Sequence, residues 1–280
     1  MTLLINHRAN PYQPLKGGTS TVFHEIRAVN GLVRAIIEAG TGLEMKDCEG
    51  RTPLLRSCDL IHRNRAIEGE HASLELIKGG ANVHAMDNSG STALYYAIKS
   101  ALKRTIKILI DRGVSPTAKD KAGFSPLYYA LHPSDYCTIM HTGREAIVAL
   151  LDAGADPLEK SPDRRTALHC IAPYLMKLSS IDSMDLLNEY GKPDDPDYFA
   201  EFLKLCTRFV DAGCGREARD ENGNTALFEY VAAEKQYSGV ETSNPPDPKD
   251  MRKMFAQHDI HAVNNEGDTL LHVVARKEED

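Results

Sequence analysis

The heptapeptide STALYYA at Ser91 returns as FSPLYYA at Phe124, 33 residues further on. Related copies stand at Ser20 (STVFHEI), Arg51 (RTPLLRS), Arg165 (RTALHCI), Asn224 (NTALFEY) and Asp268 (DTLLHVV). A period of this size confines the chain to an array of stacked supersecondary units, because one unit alone cannot bury its apolar face. A second motif lies between the copies. It reads AIIEAGTGLEMKD, ELIKGGANVHAMD, ILIDRGVSPTAKD, ALLDAGADPLEKS and RFVDAGCGREARD. Each copy is an apolar helical stripe, a glycine and a short extended segment. In TIKILIDRG the apolar residues Ile106, Leu109 and Ile110 fall on one helical face. Gly113 then stops that helix.

Each unit therefore reads as hairpin, inner helix, turn and outer helix. The pattern resembles the ankyrin repeat. The segment Asp87 to Lys119 carries the resemblance: Asp87, Gly90, Thr92, Leu94, Ala97 and Gly113 fall on that family's marked positions. The resemblance implies an all-α repeat solenoid of stacked helix-turn-helix units with short β-hairpin loops. The array is read as a single domain over 1–280, with about six full or extended repeats and partial ones at both ends. Units start at Lys16, Asp47, Asp87, Asp120, Ser161, Asp220 and Asn264, after a partial repeat over 1–15. Their lengths are uneven, so inserts are expected between inner and outer helices, near 60–71, 132–143, 177–198 and 234–250. The chain reads as an excerpt of a longer array, since DTLLHVVARKEED offers an inner helix without an outer one.

Most marked residues have structural tasks. The threonines at 52, 92, 166, 225 and 269 stand where a helix begins and can cap it. Pro53 and Pro126 occupy the first helical turn, where a missing N–H is harmless. The glycine before each threonine permits a positive φ. Arg164 replaces it in the fifth unit, where an altered turn is expected. In the family the motif histidine bonds to neighbouring backbone. His24, His169 and His272 match it, while Leu55, Tyr95, Tyr128 and Phe228 fill the other slots. Tyr96 and Tyr129 read as core residues whose hydroxyls need partners.

Bulk properties narrow the function. A formal charge of −7 and a pI near 5.9 argue against a binder of phosphate backbones. The longest apolar run, AIVALL, is too short to span a membrane. MTLLINHR lacks the basic start of a secretory signal. Six irregularly spaced cysteines without a C-x-x-C pair predict reduced thiols and a cytoplasmic or nuclear location. Nucleotide-loop, nucleophile-elbow and zincin motifs are absent from the sequence. His169–Cys170 is no promising nucleophile pair, since adjacent helical residues diverge. Cys48, Cys58 and His62 do not complete a four-ligand zinc site. Ser-Pro dipeptides at Ser115, Ser125 and Ser161 are conceivable phosphorylation sites, with Ser125 already committed as a cap.

The expected function is non-catalytic. The concave face of hairpin tips and inner helices should bind a protein or peptide partner, with no cofactor, metal, nucleic acid or membrane insertion, and the chain should act as a monomer. The alternative is the substrate-recruiting part of a larger modifying enzyme, of ubiquitin ligase or S-acyltransferase type. Variable positions of the family, carried over residue by residue, give Arg51, Leu60, Asn88, Lys99, Lys121, Phe124, His132, Arg165, Tyr174, Asn222 and Asn224 as the candidate contacts. Phe124, Tyr174, Arg51 and Arg165 are the expected anchors, because aromatic and arginine side chains dominate binding energy.

Overall fold

A computed structural model describes residues 33–34, 37–38, 42–59, 66–132, 143–172, 198–235, 259 and 261–275. It divides into two compact units, Met1–Ala155 and Asp156–Asp280. In the first unit, inner helices α1 (Pro53–Cys58), α3 (Ala93–Lys99) and α5 (Pro126–Leu131) alternate with outer helices α2 (Ala66–Lys78), α4 (Lys103–Asp111) and α6 (Arg144–Asp152). Each inner helix packs on its own outer helix. Inner helices also stack on inner ones and outer on outer. The result is a two-layer solenoid. In the second unit, residues 167–172 are helical, followed by α7 (Tyr198–Asp211), α8 (Ala226–Lys235) and α9 (Leu270–Ala275). Among the described residues, extended pairing is limited to the isolated bridges Met86–Thr92 and Val263–Thr269.

Local chemistry explains these boundaries. Thr52 Oγ1 accepts from the Leu55 N–H at 3.4 Å, and Ser125 Oγ from the Tyr128 N–H at 3.0 Å. Thr92 occupies the same place at α3 but makes no side-chain cap, so one expected cap is absent. Pro53 and Pro126 start α1 and α5 as expected. At the end of α4, Gly113 has φ +80°. The Gly113 N–H bonds to Ile110 O and the Val114 N–H to Leu109 O, so the last carbonyls are satisfied. The outer helix α2 begins at Ala66, within the stretch 60–71 read from sequence as an insert. The inserts near 132–143, 177–198 and 234–250, the units before Asp47, Leu60 and Tyr174 fall wholly or largely outside the described residues.

Leu54, Leu55, Leu76, Leu94, Leu102, Leu109 and Leu127 are buried between the layers. One polar pair crosses the outer layer. Ser73 Oγ and Thr105 Oγ1, both buried, lie 2.7 Å apart on α2 and α4. In the second unit Phe209 is fully buried on α7, and Phe228, Ala262 and Leu270 form a cluster where α8 meets α9.

Hairpins dock on one another through backbone bonds. The Asn88 N–H donates to Glu49 O and the Lys121 N–H to Ser89 O. The second unit repeats this with Glu221 N–H to Asp163 O and Asn265 N–H to Asn222 O. Gly50 has φ +75°, and a Cβ there would lie 2.4 Å from Asn88 Oδ1 and 2.8 Å from its backbone nitrogen. Two requirements thus meet at one glycine: positive φ and close approach of the next hairpin. The turn at Arg164 corrects the expectation of an altered geometry. Arg164 adopts φ +64°, and its N–H still bonds to Ser161 O at 2.8 Å. The turn keeps the geometry of the other repeats and an arginine bears its strain.

Gly123 has φ +87° with open space around a Cβ. Gly50→Ala and Gly123→Ala therefore separate the two requirements. Backbone strain costs each about 1–2 kcal/mol. Gly50→Ala adds the clash with Asn88, so denaturant titration should show the larger loss for Gly50→Ala.

Candidate partner-binding face

Every described hairpin from Asp47 to Asn264 is built on its first residue. Asp87 Oδ1 accepts from the Ser89 and Ser91 N–H groups, both at 2.8 Å. Asp47, Asp120 and Asp220 do the same for their own hairpins. Asn264 does so with its amide oxygen. In the fifth unit Ser161 replaces the carboxylate, and its hydroxyl takes the Arg165 N–H at 3.0 Å. It also donates to Asp163 over a very short contact.

The second carboxylate oxygen reaches the inner helix. Tyr96 donates its hydroxyl to Asp87 Oδ2 at 2.7 Å, and Tyr129 donates to Asp120 Oδ2 at 2.5 Å. These are the partners that the two hydroxyls require. In the second unit of the repeat register, Arg56 occupies the tyrosine's place and its Nε lies 3.6 Å from Asp47 Oδ2. Burial, then the bond to the carboxylate, holds the Tyr96 and Tyr129 phenols above their ordinary pKa.

Tyr95 and Tyr128 stand in the motif histidine's slot and are half-buried. Tyr128 stacks between Phe124, at 4.2 Å between centroids, and His132, at 4.0 Å, both with 22° between planes. His132 Nδ1 lies 2.9 Å from Tyr128 O. Tyr95 meets Tyr96 and Tyr129 edge-on, at 4.8 and 4.2 Å. The inner helices α3 and α5 thus carry a continuous aromatic surface.

The remaining candidate contacts divide by environment. Lys99, Lys121, Asn88 and Asn222 are exposed; Asn224, Phe124 and His132 are half-buried. Asn88 has a structural bond, its amide donating to Cys48 O at 3.0 Å. Asn224 Oδ1 accepts from Asn264 Nδ2 at 3.1 Å, and Asn224 O faces His169 Nε2 at 3.0 Å.

The two arginine anchors stand differently from the exposed residues that the sequence leads one to expect. Arg51 is 9% exposed. Its guanidinium meets Asp59 at 2.7 Å, Asp47 at 3.4 Å, and Glu49 in closer contact. Arg165 pairs with Glu229 of the following repeat at 2.8 Å and donates to His169 O at 3.3 Å. Both arginines are taken up by the chain itself, Arg51 within its own repeat and Arg165 across a repeat boundary. Burial raises the Glu229 pKa, against the lowering pull of Arg165.

The fully buried His169 has a settled tautomer. The Thr166 N–H donates to Nδ1 at 3.2 Å, so Nε2 carries the proton toward Asn224 O. His272 repeats half of this with Thr269 at 3.1 Å. Neither His169 nor its neighbour offers nucleophilic chemistry. Burial pushes the Cys170 thiol up to about 12, so the thiolate is scarce at neutral pH. Ser125 and Ser161 are buried and hydrogen-bonded, whereas Ser115 is exposed.

Residues 24–120 and 63–142 match the family model described as ankyrin repeats (3 copies). Residues 24–142 thus carry ankyrin repeats, and the fold of the chain is that of ankyrin solenoids. Ankyrin repeats are protein-interaction modules. The chain is similar to two solved ankyrin domains. One is the ankyrin repeat domain of Bcl-3, described as a unique member of the IkappaB protein family. It aligns at 19% identity and TM-score 0.52, over 80% of this chain and 83% of its own. The other is the human ASB11 ankyrin repeat domain, at 14% identity and TM-score 0.56, over 91% of both. At such identities the likeness shows the fold alone. A curated protein of Oryza sativa subsp. japonica, named Probable E3 ubiquitin-protein ligase XBOS34, is 38% identical over 90 residues. That stretch is 30% of this chain and 16% of the rice protein, so the chain corresponds to a small part of its relative's length.

His169 is held neutral, its pKa lowered by burial, against the raising effect of its bond to Asn224. A depressed folded pKa contributes stability that is complete above the ordinary histidine value near 6.5 and is lost as pH falls through it. The melting temperature of the wild type should therefore drop more between pH 7.5 and 5 than that of His169→Leu, which begins lower but has no such group to charge.

Proposed function

We propose that this ankyrin-repeat chain is a non-catalytic scaffold that binds a protein or peptide partner on the face formed by its hairpin tips and inner helices. The observation that carries this reading is the aromatic surface of Phe124, Tyr128, His132 and Tyr95. The position held by Phe124 is filled in other repeats by Arg51, Ser91, Arg165 and Asn224. Stacking of the units therefore does not require an aromatic ring there. Aromatic side chains bring large contact area with few rotors to freeze, which suits them to interfaces. The scaffold is rigid at this place because Asp120 ties the hairpin to α5 through Tyr129. The buried free thiols of Cys58, Cys206 and Cys214 fit a reducing compartment, cytoplasmic or nuclear. The chain would act there as a monomer.

A second reading has one observation in its favour, the resemblance to the rice ligase-named protein. On that reading the array recruits a substrate for ubiquitin transfer by another part of a longer protein. The partner's ubiquitylation should then fall when that longer protein is deleted, and an unchanged level would exclude it.

The binding face is tested with the chain carrying Phe124→Ala and Tyr128→Ala. A partner obtained by affinity capture and then purified should bind this variant at least tenfold more weakly by calorimetry, with the helical circular dichroism retained. Undiminished binding would overturn the placement.

A further inference from the structure

The aromatic surface of the first unit has a sign as well as a shape. Asp87 and Asp120 each accept two backbone N–H groups and one tyrosine hydroxyl, and among the described residues neither carboxylate has a cationic partner. Asp47 and Asp59 differ, being paired with Arg51 and Arg56. Between the two uncompensated carboxylates lies Tyr95, edge-on to Tyr96 and Tyr129. A phenol that donates its proton to a carboxylate gains electron density in its ring, which strengthens its attraction for a cation. Tyr96 and Tyr129 are in that state. The Tyr95 hydroxyl makes no hydrogen bond to any described residue, although the ring is half-buried. Of the cations near this face, Arg51, whose charge reaches Tyr96, is taken up by Asp47 and Asp59. Lys99 is exposed at the end of α3, and Lys121 sits at the hairpin tip with its stem against Gly90.

We infer that this face takes its partner by a lysine or arginine side chain, seated at Tyr95 between the Asp87 and Asp120 carboxylates with the flanking partner backbone along Phe124 and Tyr128. The inference rests on the reading of this face as the binding surface and names the chemistry of its occupant. A cationic head supplies only donors, and here it meets the Tyr95 oxygen and two carboxylates, which accept. An acidic partner would meet like charge. A purely apolar one would cover the Tyr95 hydroxyl without satisfying it, a loss that buried polar groups exact. All three phenols are held above their ordinary pKa, with Asp59, Asp87 and Asp120 all contributing at Tyr95 after burial. Burial is the first cause at each phenol, and the carboxylate contribution that follows it is the part that favours a bound cation.

The probe is a random peptide library displayed on phage and selected on the immobilised 280-residue chain. Enriched peptides are synthesised and titrated by calorimetry at low and high salt. The expected result is a shared lysine or arginine anchor whose replacement by glutamine weakens binding at least tenfold. Affinity should fall with salt. Tyr95→Leu and Asp120→Asn should each weaken binding about fivefold or more, an expectation built on the range for cation–π and exposed ion-pair interactions. Should Tyr95→Leu melt early, Tyr95→Phe removes the hydroxyl alone and should still weaken binding. Peptides with acidic or apolar anchors that lose affinity for Phe124→Ala would overturn the cationic occupant and leave the face in place. Peptides indifferent to both Phe124→Ala and Tyr95→Leu would overturn the face itself. Failure to enrich any sequence would overturn the inference.

Discussion

The structure hangs on a single carboxylate per hairpin. Four of the described hairpins place Asp at the first position, where one oxygen closes the turn on two N–H groups. In two of them, Asp87 and Asp120, the other oxygen accepts a tyrosine hydroxyl from the helix that follows. Turn, helix start and inner-helix face are therefore one hydrogen-bonded object. A charged acceptor with three donors is a strong arrangement, and it has to be, because each unit contacts only its neighbours. Loss of the carboxylate would loosen the hairpin that carries the ladder bond to the next unit, so a local change would be felt across a repeat boundary.

Departures from this scheme come with their own compensation. Ser161 has one oxygen where Asp has two. It closes the turn through its one oxygen, and at the tyrosine's place on the inner helix stands Cys170, whose thiol burial keeps protonated. In the next repeat Asp220 returns but faces Glu229, a like charge that cannot donate to it when ionised. Arg165 of the preceding repeat meets Glu229 at 2.8 Å instead. The bond that was internal to a repeat has become one between repeats.

The repeat, its glycines and its helix starts were legible because they follow from backbone geometry, which leaves a periodic mark on the sequence. The hydroxyl partners of Tyr96 and Tyr129 were legible as a need, though not by name. Their carboxylates lie nine residues upstream, on the far side of a turn whose closure had to be known first. The arginines were misread for the same reason. Position within the repeat says that Arg51 and Arg165 border the concave face. Only the packed structure shows Asp59 eight residues on, or Glu229 one repeat on, in reach of the guanidinium. Long side chains choose partners by distance in space, and that information is spread over residues no local pattern connects.

Charge compensation also decides which part of the aromatic surface is available to another molecule. Around Arg51 each charge has met its opposite, and a partner would need to break an existing pair to use either member. Breaking a pair at low exposure leaves an uncompensated charge, which costs more than the pair contributes. Beside Tyr95, Asp87 and Asp120 are satisfied by neutral donors alone. Their hydrogen bonds are complete while their charge is not, so a cation can approach without displacing anything. The three neighbouring repeats thus divide the work: the one headed by Asp47 spends its charges on holding itself together, and those headed by Asp87 and Asp120 leave their carboxylates to neutral donors.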